Sequence, residues 1–171
     1  GSSGTVDKIS ILPSGWVSLI YNGNADESDD VSSFPVSFDG PNNGNSANDR
    51  PEIVEEGRDG KAFKVTSFAE PAETWHTQFF FLSNEALSEG TKIRLSFDHR
   101  AETSQPVTAS AQANPRTYNG NLDLKFTATP DWDHFEWTHT VTAADANNGG
   151  FKSIALNLNE GEEGAKVGPN T

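Results

Sequence analysis

The 171-residue chain has no cysteine, which excludes disulfides and thiolate chemistry and leaves the compartment unreadable from cysteine usage. Basic residues are scarce: 12 Lys and Arg stand against 25 Asp and Glu, a formal net charge of −13. Such a balance argues against nucleic acid and anionic membranes, whose phosphates need a basic partner. It suits neutral ligands and cations such as calcium. No apolar run is long enough to span a bilayer, and no signal-peptide pattern opens the chain. Gly1-Ser2-Ser3-Gly4 reads as a linker or cloning remnant, which leaves room for a signal removed ahead of it. Helical periodicity is nearly absent, with a single turn expected at Asn84–Glu89. Catalytic signatures are missing too: there is no Gly-x-Ser-x-Gly elbow, phosphate loop or dinucleotide fingerprint.

What remains is a chain of short alternating segments. Ile93, Leu95 and Phe97 share one face of Thr91–Arg100, with Arg94, Ser96, Asp98 and Arg100 on the other. Ile154, Leu156 and Leu158 alternate with Ser153, Ala155 and Asn157, and Phe135, Trp137 and Val141 share a face with His139. Further strands are expected at Val17–Tyr21, Ala62–Phe68, Val107–Ala113 and Asp123–Ala128. Asn-Gly and Asp-Gly turn signals punctuate them, among them Asn22-Gly23, Asp59-Gly60 and Asn119-Gly120. The pattern predicts an all-β sandwich of two antiparallel sheets. Residues 1–15 read as linker and leading strand, and 16–171 as one domain. Gly40–Asp49 reads as a surface loop, and the acidic, Gly-rich Asn159–Thr171 carries no strand pattern.

Three stretches bear on chemistry. His134-Phe135-Glu136-Trp137-Thr138-His139 superficially resembles a metalloprotease motif, but helical ligation needs two His four apart, and on a strand these two point to opposite faces. Asp26-Glu27-Ser28-Asp29-Asp30 is a hard-oxygen cluster open to two readings, calcium ligands or a solvated acidic loop. Trp75-His76-Thr77-Gln78-Phe79-Phe80-Phe81-Leu82 has the composition of a buried strand, yet opens with Trp and carries an amide. Trp75 suits either the core or a platform for the C–H face of a sugar ring, with Gln78 bonding its hydroxyls.

In order and spacing, several of these segments resemble carbohydrate-binding modules of families 4, 9 and 22. Leu19-Ile20-Tyr21-Asn22-Gly23-Asn24-Ala25-Asp26 is similar to their opening strand, and Asp59–Val65 to the next. Trp75-His76-Thr77-Gln78 is similar to their cleft strand, Pro130-Asp131-Trp132 leading into Phe135–Val141 to a late strand entry, and Ile154–Asn159 to the penultimate strand. The resemblance covers Trp16 to Asn159. It implies a jelly-roll sandwich, a structural calcium held through Asp26 with Asp59 as a further ligand, and an open concave cleft for a xylan or β-glucan chain. It places Trp75 and Gln78 in that cleft with Tyr118 as a second aromatic and Asn157 as a polar liner. His76, Arg100 and Arg116 are further hydrogen-bonding candidates, and no catalytic residue is expected. The family's closing strand with its Asp motif has no counterpart before Thr171, a departure that bears on the metal. The expectation is a monomeric, non-catalytic module of a secreted bacterial xylanase or related glycoside hydrolase, with Trp132 in the core.

Overall fold

The structure, a computed structural model, describes residues 20, 25, 30–38 and 51–171. The linker and leading strand expected over residues 1–15, the Gly40–Asp49 loop and the Asn22-Gly23 turn lie outside these residues, as does the Val17–Tyr21 strand apart from Ile20. The described chain forms nine strands: β1 (Val36–Phe38), β2 (Glu52–Val54), β3 (Ala62–Lys64), β4 (Thr77–Leu87), β5 (Lys92–His99), β6 (Gln105–Gln112), β7 (Tyr118–Ala128), β8 (Asp133–Thr140) and β9 (Phe151–Asn157). Only two single-turn 3-10 segments interrupt them. The all-β sandwich read from the alternation is what forms. One layer is a five-stranded antiparallel sheet in the order β1-β4-β9-β6-β7; against it pack two antiparallel pairs, β5–β8 and β2–β3.

Side-chain alternation explains the layering. Phe79 and Phe81 of β4, Ile154 and Leu156 of β9, and Val107, Ala109 and Ala111 of β6 turn one face of the large sheet inward. They meet Phe97 of β5, and Phe126 of β7 meets Phe135 of β8, with ring centroids 5.5 Å apart for Phe81–Phe97 and 5.0 Å for Phe126–Phe135. Phe34 and Phe63, 4.3 Å apart, close the side nearest β1. Among the described residues the core tryptophan is Trp137, which stacks on His139 at 4.7 Å and donates its indole N–H to Asp123. Trp132, expected in the core, is only half-buried, under the Arg100 guanidinium 5.4 Å away.

Two further expectations change. The helical turn at Asn84–Glu89 is the continuation of β4 to Leu87 across a β-bulge. There Ser83 Oγ donates to the Glu85 carbonyl and accepts from its N–H, so a serine supplies locally what the interrupted ladder does not. Asn119-Gly120 is no turn but lies within β7; the reversal comes earlier, where Ala113 N–H bonds Thr117 and Thr117 N–H bonds Asn114.

The tail after β9 is ordered without a strand. Asn159 is fully buried and donates through Nδ2 to the carbonyls of Phe68 and Val167, both at 2.8 Å. Asn170 donates to Thr103 O and Gln105 Oε1, also at 2.8 Å each. Gly168 passes so close to the chain that a Cβ there would lie 2.0 Å from the Phe68 carbonyl oxygen, so glycine is required.

Candidate functional site: the polar face of the large sheet

On the five-stranded sheet, residues opposite in parity to the core form a second face. Register places Gln78 beside Asn157, Asn157 beside Thr108, and Thr108 beside Lys125, one row across four strands. The row is wired in one direction. Gln78 Nε2 donates to Asn157 Oδ1 at 3.0 Å, Asn157 Nδ2 donates to Thr108 Oγ1 at 3.1 Å, and the Thr108 hydroxyl donates to Glu160 Oε2. A chain of donors ending on a carboxylate fixes each amide's orientation, and every amide keeps a second N–H for another acceptor. Gln78 itself is buried, so it positions Asn157 rather than reaching outward; Asn157 and Thr108 are half-buried.

Neither aromatic is part of this row. Trp75 sits in the turn preceding β4, not on the strand, and its side chain is 49% exposed. Tyr118 opens β7 with 57% exposure, and its hydroxyl donates to Asn121 Oδ1 at 3.1 Å. Both are therefore surface rather than core residues. Tyr118 is level with Leu82 across β9 and β6, four residues along β4 from Gln78. That is about 13 Å along the strands and about 14 Å across three strand spacings, a diagonal of about 19 Å. The 144–150 loop holds the Tyr118 end in place. Asn119 Nδ2 donates to the carbonyls of Asp145 and Gly150, and Asn148 Nδ2 to that of Tyr118. Asn148, Gly149 and Gly150 all have positive φ, which the Asn-Gly-Gly sequence tolerates. Asp145 anchors that loop, accepting from Thr142 N–H and from His139 Nε2 at 2.5 Å. Burial pulls its carboxyl upward, but the bonds from Thr142 and His139 outweigh this and hold it below the usual aspartate range.

The other expected site residues divide. His76 accepts the Ala72 N–H through Nδ1 at 3.2 Å and so braces the Trp75 turn. Arg116, at φ 76°, donates its backbone N–H to Gln112 Oε1 at 2.5 Å, and its Nε and Nη1 are sealed from solvent. Arg100 is not with them. It follows β5, in the opposite layer, and stacks on Trp132; β4 lies between β1 and β9, and among the described residues β5 pairs with β8 alone. Phe80, Ser110, Gln112, Ser153 and Ala155, central on this face, are buried, and among the described residues the accessible polar groups include those of the row above and of the β7 edge.

Thr108, Glu160 and Asn121 were not singled out from the sequence. The alternation of Val107–Ala113 carries the signal for Thr108, because it shares parity with Ser110 and Gln112. Glu160 has no such signal, since it enters the row from an aperiodic tail.

For calcium, no three Asp, Glu or His side chains among the described residues converge on a point where an ion could be held. Asp59 is exposed in the β2–β3 turn, and Asp26 lies outside the described residues.

No protein-family model matches the chain, and no curated protein does. Among solved structures, one described as "CBM4 structure and function" aligns over 89% of this chain and 90% of its own, with a TM-score of 0.56 at 22% identity. The two chains share a fold.

Proposed function

We propose that this chain is a non-catalytic carbohydrate-binding module, and that its polar sheet face binds a β-linked plant polysaccharide, with xylan the favoured ligand. The observation that carries this reading is the oriented row from Gln78 through Asn157 and Thr108 to Glu160, together with exposed Trp75 just before β4 and exposed Tyr118 at the start of β7. A sugar chain is uncharged, apolar on its ring faces and hydroxylated on its rims. Trp75 and Tyr118 remove ring faces from water, and the amide row bonds hydroxyls in a fixed geometry. By analogy with base stacking on aromatics, each platform contributes about 1–3 kcal/mol. Two platforms and a few hydrogen bonds then give affinities of about micromolar to millimolar once ordering costs are subtracted. The fold shared with a CBM4 structure supports the same reading, as does a surface too acidic for polyanions. A weakly held, neutral polymer suits an extracellular module that keeps an attached glycoside hydrolase, such as a bacterial xylanase, at its substrate. A structural calcium near Asp26 belongs to the same proposal.

Affinity electrophoresis against xylan, barley β-glucan, laminarin and mannan tests it. Retardation by xylan is expected. Retardation by barley β-glucan alone would move the ligand to mixed-linkage glucan, and migration unaffected by all four would leave a structural or adhesion sandwich without a sugar site.

A further inference from the structure

The two layers do not meet everywhere. Between the core-facing side of the large sheet and the β5 and β3 strands lies a cavity of about 380 Å³. Its walls include the rings of Phe63, Phe79, Phe97 and Phe126, and Trp132 and the exposed Arg100 also line it. Phe79 and Phe126 point inward with the core, yet both are only half-buried, as expected where apolar rings face a space instead of neighbours. His99 also lines it, its ring 4.4 Å from that of Phe126, and its Nδ1 is shut from solvent with no hydrogen-bond partner among the described residues. The volume lies in the range of small-molecule sites, and the pattern of apolar walls with a few polar groups is theirs as well.

We infer that this cavity is a second binding site, separate from the polar sheet face, for a neutral, flat aromatic ligand bearing a hydroxyl, that is, a phenolic compound. The rings supply an apolar lining, and edge or offset stacking favours another ring there over an alkyl chain. Among the polar liners Asp98 is bonded to Arg58 and His134, Gln105 to Leu158 and Asn170, and Arg100 lies over Trp132, whereas the imidazole Nδ1 has no partner among the described residues and can orient a single hydroxyl. Charge and desolvation oppose the ionic alternatives. Glu56, Asp98 and Glu102 outnumber Lys64 and Arg100 in the lining, on a chain of net charge −13, and oppose an aromatic carboxylate. An aromatic cation would have to give up its hydration among the phenylalanine rings. A free sugar would leave most of its hydroxyls unpaired against the phenylalanines.

The test is titration of the full chain with 2-naphthol, followed by calorimetry and by backbone amide NMR shifts, with 2-naphthoate as the charged control. One-to-one binding of 2-naphthol is expected, with shifts concentrated at His99–Ala101 and Phe126–Ala128, and naphthoate at least about tenfold weaker. Ala128→Leu, which fills the slot from β7, should weaken 2-naphthol at least about tenfold, and His99→Leu should remove the preference for 2-naphthol over naphthalene; neither should change retardation by xylan. The shift map needs no variant, so it decides even if a variant fails to fold. No saturable binding up to the solubility limit, shifts on the Gln78–Asn157–Thr108 row, or naphthoate binding as tightly as naphthol would overturn the inference. Loss of xylan binding alone would bear only on the function proposed above.

Discussion

Trp75 and Tyr118 expose about half of their surface, whereas Trp137 exposes 9%, and this difference decides what each removal should do. Trp75→Ala or Tyr118→Ala takes away a ring that little protein touches. Each is expected to weaken xylan binding about tenfold or more, a loss of about 1.4 kcal/mol, with the melting temperature close to that of the parent. Trp137→Ala empties a core position packed on His139 and bonded to Asp123, so it should cost about 3–5 kcal/mol of stability. Paired denaturant melts and affinity gels on the three variants separate the roles. Unfolding by Trp75→Ala alongside a stable Trp137→Ala would mean the platform and the core tryptophan have been interchanged.

At the scale of elements, the ordered tail is the least expected feature. Asn159 and Asn170 replace a strand ladder with side-chain amide bonds that tie 159–171 to Phe68, Thr103 and Gln105. Asn159→Leu preserves volume but leaves the Phe68 and Val167 carbonyls without the donor they now have. A loss of about 1–3 kcal/mol is expected in urea melts, and the buried carbonyls are the reason. Stability unchanged by Asn159→Leu would show that water or backbone movement supplies those bonds. A calcium ion at Asp26 would act on another element, tying the early chain to the sandwich and stabilising it by mass action. Chelator should then lower the melting temperature and elemental analysis should find about one calcium per chain; an unchanged melt with no metal found would remove the ion from the proposal.

These elements also show where sequence is legible. Ile93–Phe97 and Ile154–Leu156 appear as strands in the amino-acid pattern because period-2 alternation has a single solution once one face is buried. The same rule places Asn157 on the polar face. The alternation is silent on which strands are neighbours, so Arg100 reads as adjacent to Gln78 although β4 lies between β1 and β9, the latter sixty-odd residues further on. Turn chemistry misleads in the same way at Asn119-Gly120. A β-bulge near Ala111–Gln112 and the Asn148 bonds extend β7 through a dipeptide that in isolation favours a reversal. Glu160 and the tail stay hidden because their order comes from contacts between segments far apart in sequence.

For the molecule as a whole, pH and salt probe different parts of the same charge distribution. Burial pushes the His99 imidazole below 6.5, so the folded chain holds that ring neutral while the unfolded chain protonates it. The unfolded state then binds more protons, and stability is fully present above about pH 6.5 and declines as pH falls from there toward the depressed folded value. Asp145, also depressed, adds a further loss at more acidic pH as its carboxylate is protonated. Denaturant melts between pH 7.5 and 5 should show the first decline, and His99→Phe should flatten it; an identical slope in that variant would assign the decline to another group. Salt should do the opposite to binding, namely very little. A neutral polysaccharide held by stacking and amide hydrogen bonds releases no counterions, whereas a polyanion held by charge loses affinity steeply as ions screen it. With a net charge of −13, this chain gains nothing from electrostatic attraction to an acidic polymer, so xylan affinity should change less than about twofold between low salt and 0.5 M sodium chloride. A tenfold fall across that range would mean that Lys125 and a charged substituent on the ligand, rather than the Trp75 and Tyr118 rings, hold the chain on the sheet.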